Sequence, residues 1–323
     1  MRNLSVRLTA VSLILILFTG CAVSPAAPAA DISQETAGPV SDPPTVTFTD
    51  DLGHTFTVER PERVVALIGS FADIWCLAGG QDVLVAVTDD AWTSFELDLG
   101  ENVSSIGGAM SPNLELILAA DPDFILASSA SQADLELLDT FEQTGVPTAY
   151  FDVQGLDEYL GVLKICTQLT GALENYDLYG TQVKERVEAA ATRQDGSTPT
   201  VLCIQATGSS CTVKGSNGNV LGEMLSDLGC VNVADGNSLL EDLSLEAIMD
   251  ADPDYIFAVP HSADPAAAME TLETTLLSNP AWQSLRAVQN GSFYTLPRRL
   301  YNLKPNALWG EAYEGLADIL YPN

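Results

Sequence analysis

A chain of 323 residues that is 46% hydrophobic is long enough for two domains of ordinary size with packed cores. Its 44 acidic against 13 basic residues give a formal charge of −31, which excludes nucleic-acid binding through the bulk field and excludes lying flat on an anionic lipid surface. With two histidines in all, capture of bare zinc or manganese is excluded too, since such sites draw on several His with carboxylates.

In chain order, Arg2 and Arg7 make a positive region before an apolar run at residues 8–18, too short for a comfortable bilayer span and right for a signal peptide over residues 1–20. The run ends in "FTGC", which resembles a bacterial lipobox and would make Cys21 the lipidated new N-terminus, with Phe18 standing where Leu is usual. Residues 21–44, rich in Ala, Pro, Ser and acid without periodicity, read as a flexible linker behind the lipidated Cys. The rest is then expected outside the cell membrane, held to it by the lipid alone.

Residues 45–59 alternate apolar and polar around Asp-Leu-Gly and read as a hairpin, with His54 on its return strand. From residue 64 the pattern becomes strand, helix, strand: "VVALI", "FADIWCLAGG", "VLVAV", "SPNLELILAA", "DFILA", "QADLELLDTFEQTG", "VPTAYF". The second half repeats the style from "TVLCIQA" to "NALWGEAYEGLADIL". Short β-branched strands between helices predict mainly parallel sheets covered on both faces. The fold class is therefore α/β, with two Rossmann-like lobes: residues 45–172 with the leading hairpin, and residues 195–323. Between them, "LDEYLGVLKICTQLTG" sets Leu156, Tyr159, Leu160, Leu163, Cys166 and Leu169 on one stripe. Residues 173–194 form the single interlobe helix, expected to let the lobes rock only slightly.

"LELILAADPDFILA" at residues 114–127 returns as "LEAIMDADPDYIFA" at 245–258, with nine of fourteen positions identical. Both phrases read as a helix stopped at Asp-Pro-Asp and feeding a buried strand, at equivalent places in two duplicated lobes. Five cysteines follow Cys21 with no C-x-x-C spacing, so neither a disulfide framework nor a zinc site is signalled. Whether Cys203 pairs with Cys211, or Cys211 with Cys230, is left open.

The hairpin "DDLGHTF", the entry "PERVVAL", the doubled phrase and the ending "LADILYP", in this order and spacing, resemble the substrate-binding lipoproteins of ABC importers for iron siderophores and vitamin B12. The resemblance covers nearly all of residues 45–322. It implies a ligand cleft between the lobes, a monomer, and partnership with a permease dimer and its ATPase. It also implies that Glu115 and Glu246, one per lobe, meet arginines on the two permease subunits. A carboxylate at a helix start is independently favoured by the helix dipole.

Ligands of open α/β sheets bind beyond the carboxyl ends of the strands. The loops there offer Ser70, Phe71 and Trp92, with Ser128 and Ser129, from the first lobe. The second lobe offers Lys214, His261, Arg298, Arg299, Tyr301 and Lys304. In so acidic a chain the cations stand out: Lys214, Arg298 and Arg299 suit carboxylates, and Trp92 or Tyr301 suits stacking on a flat ligand. The expected cargo is a partly anionic metal chelate, a ferric siderophore first, with cobalamin or haem as alternatives. A ligand sensor for a signalling receptor shares the same features. No G-x-S-x-G, H-E-x-x-H or Walker A motif occurs, so neither an enzyme nor a resident cofactor or metal is expected.

Overall fold

The computed structural model describes residues 45–322 apart from 242 and 263. The signal peptide, Cys21 and the linker to residue 44 lie outside the described residues. Among the described residues no helix is long and apolar enough to cross a membrane.

Strands β1 (Val46–Thr49) and β2 (Thr55–Val58) form the antiparallel hairpin. His54 sits in its turn rather than on the return strand, its Nδ1 3.2 Å from Asp50 Oδ2. Five parallel strands make the first sheet: β3 (Val64–Ala66), β4 (Leu84–Val87), β5 (Ser104–Ser105), β6 (Phe124–Ser128) and β7 (Thr148–Phe151), in the order β5-β4-β3-β6-β7. Every residue of β3, β6 and β7 is buried, as unbroken apolar strands between two helical layers must be.

The second sheet holds β8 (Thr200–Ala206), β9 (Cys211–Lys214), β10 (Val231–Asn232), β11 (Tyr255–Pro260) and β12 (Phe293–Thr295). Its order is β10-β8-β11-β12, with β9 antiparallel on β8. Residues 207–210 close a turn through Thr207, whose amide donates to Ser210 O at 2.8 Å, so a stretch read as cleft loop is half of a hairpin. Cys76, Cys166, Cys203, Cys211 and Cys230 are all free thiols.

The helix Leu156–Thr170 buries Tyr159, Leu160, Leu163, Cys166 and Leu169, five of the six residues of the expected stripe, with Leu156 half-buried, and stops at Gly171 in the left-handed region (φ 79°). The interlobe helix runs from Glu174–Tyr176 through a π-helical turn, Asp177–Thr181, to Gln182–Ala191. Tyr159 Oη donates to Tyr179 O at 2.8 Å inside that turn, and a side chain bonded into the carbonyl ladder is one known cause of such a bulge.

One buried cluster unites the lobes. It runs from Phe124 and Phe151 of the first sheet through Leu163 and Val187 to Phe257 of the second sheet and Leu316 of the last helix, Trp309–Leu320. Two further clusters, one around Ile125 and Tyr150 and one around Ile256 and Trp282, fill the other faces of the sheets. The lobes are therefore held together by packing as well as by the interlobe helix. Residues 298–306 return to the first lobe and bond to it.

Candidate functional site

A cavity of about 300 Å³ opens at the carboxyl ends of β8 and β11. Its wall includes Gln205, Lys214, His261, Tyr301, Asn302 and Lys304, and it reaches the start of the helix Val220–Asp227. That helix is capped by Asn219, whose Oδ1 accepts the Gly222 amide at 2.9 Å while its Nδ2 donates to Gly215 O at 2.9 Å. A Cβ at position 222 would lie 2.4 Å from Gly215 O, so the loop 215–219 can fold over the helix start only if residue 222 is glycine.

Three polar side chains lock one another at the rim. Asn302 Oδ1 accepts from Gln205 Nε2 at 2.5 Å. His261 Nδ1 lies 2.9 Å from that oxygen and 3.2 Å from Gln205 Nε2, so one ring nitrogen meets both amides. Lys304 Nζ is 3.4 Å from Gln154 Oε1 of the first lobe. Burial pushes its pKa down, against the pull of Asp152, Glu158 and Glu223. Among the described residues neither Lys214 nor Lys304 has a carboxylate within ion-pair distance, although acids outnumber bases more than threefold.

The other expected cleft residues are placed elsewhere. The first helix begins at Gly69, two residues before the expected start, so Ser70 and Phe71 fall in its first turn, 4% and 3% exposed. Trp92, in the short helix Asp90–Thr93, is half-buried against the main core and does not line the cavity. Tyr301 contributes to the wall, but it is 5% exposed and its hydroxyl donates to Ala312 O at 3.0 Å, which leaves no open face for stacking. These burials correct the expectation for Ser70, Phe71 and Tyr301.

Arg298 and Arg299 serve the junction of the lobes. Arg298 Nη1 donates to Ser94 Oγ at 3.1 Å. Arg299 Nη2 donates to Asp73 Oδ2 at 3.0 Å, Nη1 donates to Lys304 O and Pro305 O, and the guanidinium lies 4.7 Å over the Phe95 ring. Asn306 Nδ2 donates to Asp73 Oδ2 at 2.9 Å and to Ser70 O at 3.0 Å. Burial pushes the Asp73 carboxyl up and Arg299 down, and their mutual contact opposes both shifts. Arg299→Ala is expected to cost about 3 kcal/mol of stability, because it leaves the Asp73 charge buried with Asn306 alone. Denaturant unfolding measures this. A loss below about 1 kcal/mol, the range of exposed pairs, would show that the tie carries little.

The two copies of the repeated phrase fold alike. Glu115 lies in the first turn of the helix Leu114–Ala119, where Asn113 Oδ1 accepts the Leu116 amide at 3.2 Å. Glu246 lies in the first turn of Leu245–Ala251, where Ser244 Oγ accepts the Ala247 amide at 3.3 Å. Both glutamates are exposed. Each helix feeds a central strand, β6 or β11, so each glutamate stands at the carboxyl-end rim of its own sheet.

Residues 64–300, well over half of the chain, match the family model described as "Periplasmic binding protein". The chain belongs to the periplasmic binding protein family. This periplasmic binding protein is 24% identical over 256 residues to the Fe(3+)-citrate-binding protein YfmC of Bacillus subtilis, covering 77% of each chain. It is 22% identical over 234 residues to the high-affinity heme uptake system protein IsdE of Staphylococcus aureus, covering 68% of this chain and 75% of the relative. Among solved structures it shares its bilobal fold with Staphylococcus aureus SirA complexed with staphyloferrin B, at a TM-score of 0.65 and 22% identity, over 86% of this chain and 97% of that one. Scarcity of cations singles out Lys214, Arg298 and Arg299 in the sequence, whereas Lys304 is there only one of the loop residues. No sequence signal marks Gln205, Asn302 or Asn219, whose parts depend on contacts up to 97 residues apart.

Proposed function

We propose that the protein is the extracytoplasmic substrate-binding lipoprotein of an ABC importer, anchored at Cys21, and that it delivers an anionic ferric chelate to a permease dimer and its ATPase. The observation that carries the cargo class is the pair of lysines, Lys214 and Lys304, that face one cavity and, among the described residues, have no carboxylate within ion-pair distance in a strongly acidic chain. An ammonium that is partly desolvated and unpaired gains from an anionic ligand far more than an exposed one. A cavity of about 300 Å³ is at the lower end of the range for small-molecule sites, which favours a compact chelate over a corrinoid. The relatives that carry ferric citrate and staphyloferrin B support the same class. Haem is the second reading, favoured by His261 in the cavity wall, since a neutral imidazole is a common ligand of haem iron.

Calorimetric titration with ferric citrate, a ferric catecholate siderophore, haem and cyanocobalamin tests this. Micromolar or tighter binding of a ferric chelate is expected, weakened ~10–100-fold by Lys214→Ala and by Lys304→Ala, the worth of one charge-assisted contact. Binding of haem alone, lost in His261→Ala and untouched by the lysine variants, would overturn the first reading in favour of the second.

A further inference from the structure

A second cavity, of about 320 Å³, opens between the leading hairpin and the helix Leu138–Thr144, at the amino end of β7. It shares no lining residue with the cavity at β8 and β11. Phe56, Leu138, Phe141 and Pro147 give it an apolar floor, and His54 and Glu142 line it as well. The His54 ring is anchored from behind by Asp50, whose side chain is fully buried. Asp50 accepts the amides of Leu52, His54 and Tyr150 at 3.1, 2.8 and 3.1 Å, and its Oδ2 lies 3.2 Å from His54 Nδ1. A carboxylate that holds three amides only accepts, so Nδ1 carries a proton and Nε2 of the neutral ring is an acceptor. That nitrogen lies 4.0 Å from Glu142 Oε1, too far for a hydrogen bond between the two side chains.

We propose that this cavity is a second ligand site, for a small molecule with an apolar body and one protonated amine. The body fills the apolar floor, and the ammonium donates to His54 Nε2 and Glu142 together. Hydrogen bonds of ~2.8–2.9 Å that meet on one nitrogen hold their acceptors about 4.0–4.7 Å apart, and the spacing here is 4.0 Å. A tetrahedral metal with bonds of ~2.1 Å needs them about 3.4 Å apart, so the pair is set too wide for one. The charge around the cavity has one sign. Glu142 lines it, the carbonyl end of the helix Leu138–Thr144 borders it at Gly145, and among the described residues no Lys or Arg lines it. Residues 22–44 hold three acids and no base, so the chain's own N-terminal segment lacks the cation that suits this wall. The site is additional to the importer reading and does not depend on it.

Calorimetric titration of the full-length protein with 2-phenylethylammonium, 2-phenylethanol and 3-phenylpropanoate tests this, since the three share an apolar body and differ in the head. The ammonium is expected to bind with a Kd of ~1 mM or tighter. The alcohol and the carboxylate are expected to bind ~10-fold more weakly, or less well still. Glu142→Gln, at an exposed position, is expected to weaken the ammonium ~10-fold and to leave the unfolding midpoint and the response to ferric citrate unchanged. His54→Phe keeps a ring and removes the acceptor, and it is expected to weaken the ammonium by a similar factor. Lys214→Ala is expected to leave the ammonium untouched. No binding at ~10 mM, equal binding of the three probes, or an ammonium affinity unmoved by Glu142→Gln would overturn the site. Each of those results leaves the importer reading standing, because that reading answers to the ferric chelates and the lysine variants.

Discussion

Replacing Glu115 and Glu246 together by alanine is expected to cut uptake of the chelate by more than ~100-fold while the affinity for the chelate stays unchanged. Each glutamate is exposed, and neither lines the cavity at β8 and β11. Removing a first-turn carboxylate costs the fold only ~0.3–1 kcal/mol. A carboxylate desolvated against arginine on a partner is worth ~1.5–3 kcal/mol or more, and two such contacts multiply as affinities. The single variants should therefore lie between wild type and the double. Uptake of radioactive iron into cells or proteoliposomes, beside calorimetry on the same variants, separates the two effects. Retention of a third or more of wild-type uptake by the double variant would remove both glutamates from docking.

The second large effect concerns stability. Asp134 is fully buried at the carboxyl end of β6. Its Oδ2 accepts the Ser128 amide at 2.8 Å, and its Oδ1 has no hydrogen-bond partner among the described residues. Burial pushes its pKa up to about 6, partly opposed by bonds from Ser128 and Ser131, with the Asp90 charge adding to the rise. In the unfolded chain an aspartate titrates near ~3.9. The folded state therefore holds the proton more tightly, and the group's contribution is full below pH ~4 and is lost as pH rises through about 6. At neutral pH the buried charge costs on the order of 3 kcal/mol relative to the protonated form. Asp134→Asn keeps an acceptor for Ser128 and carries no charge. It is expected to raise the unfolding free energy at pH 7.5 by ~2–3 kcal/mol and to change little at pH 4. Urea titrations at the two pH values decide it, and a variant less stable than wild type at both would refute the assignment.

Much of this architecture is legible in the residues because its signals are local. "VVALI" and "DFILA" are buried strands since only apolar β-branched and aromatic runs survive between two helical layers. The glutamates are legible because the chain writes the phrase twice. For Arg298 and Arg299 the residues alone leave the partner open, for a physical reason. Two cations in an acidic chain suit a ligand or an internal partner equally well, and the partner of Arg299, Asp73, lies 226 residues away. Ser70 and Phe71 were placed in a loop because no side-chain cap marks the start of their helix. Its Gly69 amide is satisfied instead by Asp90 Oδ2, 2.9 Å away across the sheet edge. Tyr301 looked like a platform because aromatic rings near a cleft often are, but its hydroxyl finds Ala312 O on the last helix.

The common core beneath the two sheets, with the ties from residues 298–306, has a thermodynamic consequence. Neither half is expected to be stable when cut free, and melting should follow a single cooperative transition. Opening a gap between the halves would bring part of that shared apolar core into water, so the halves are expected to move as one body.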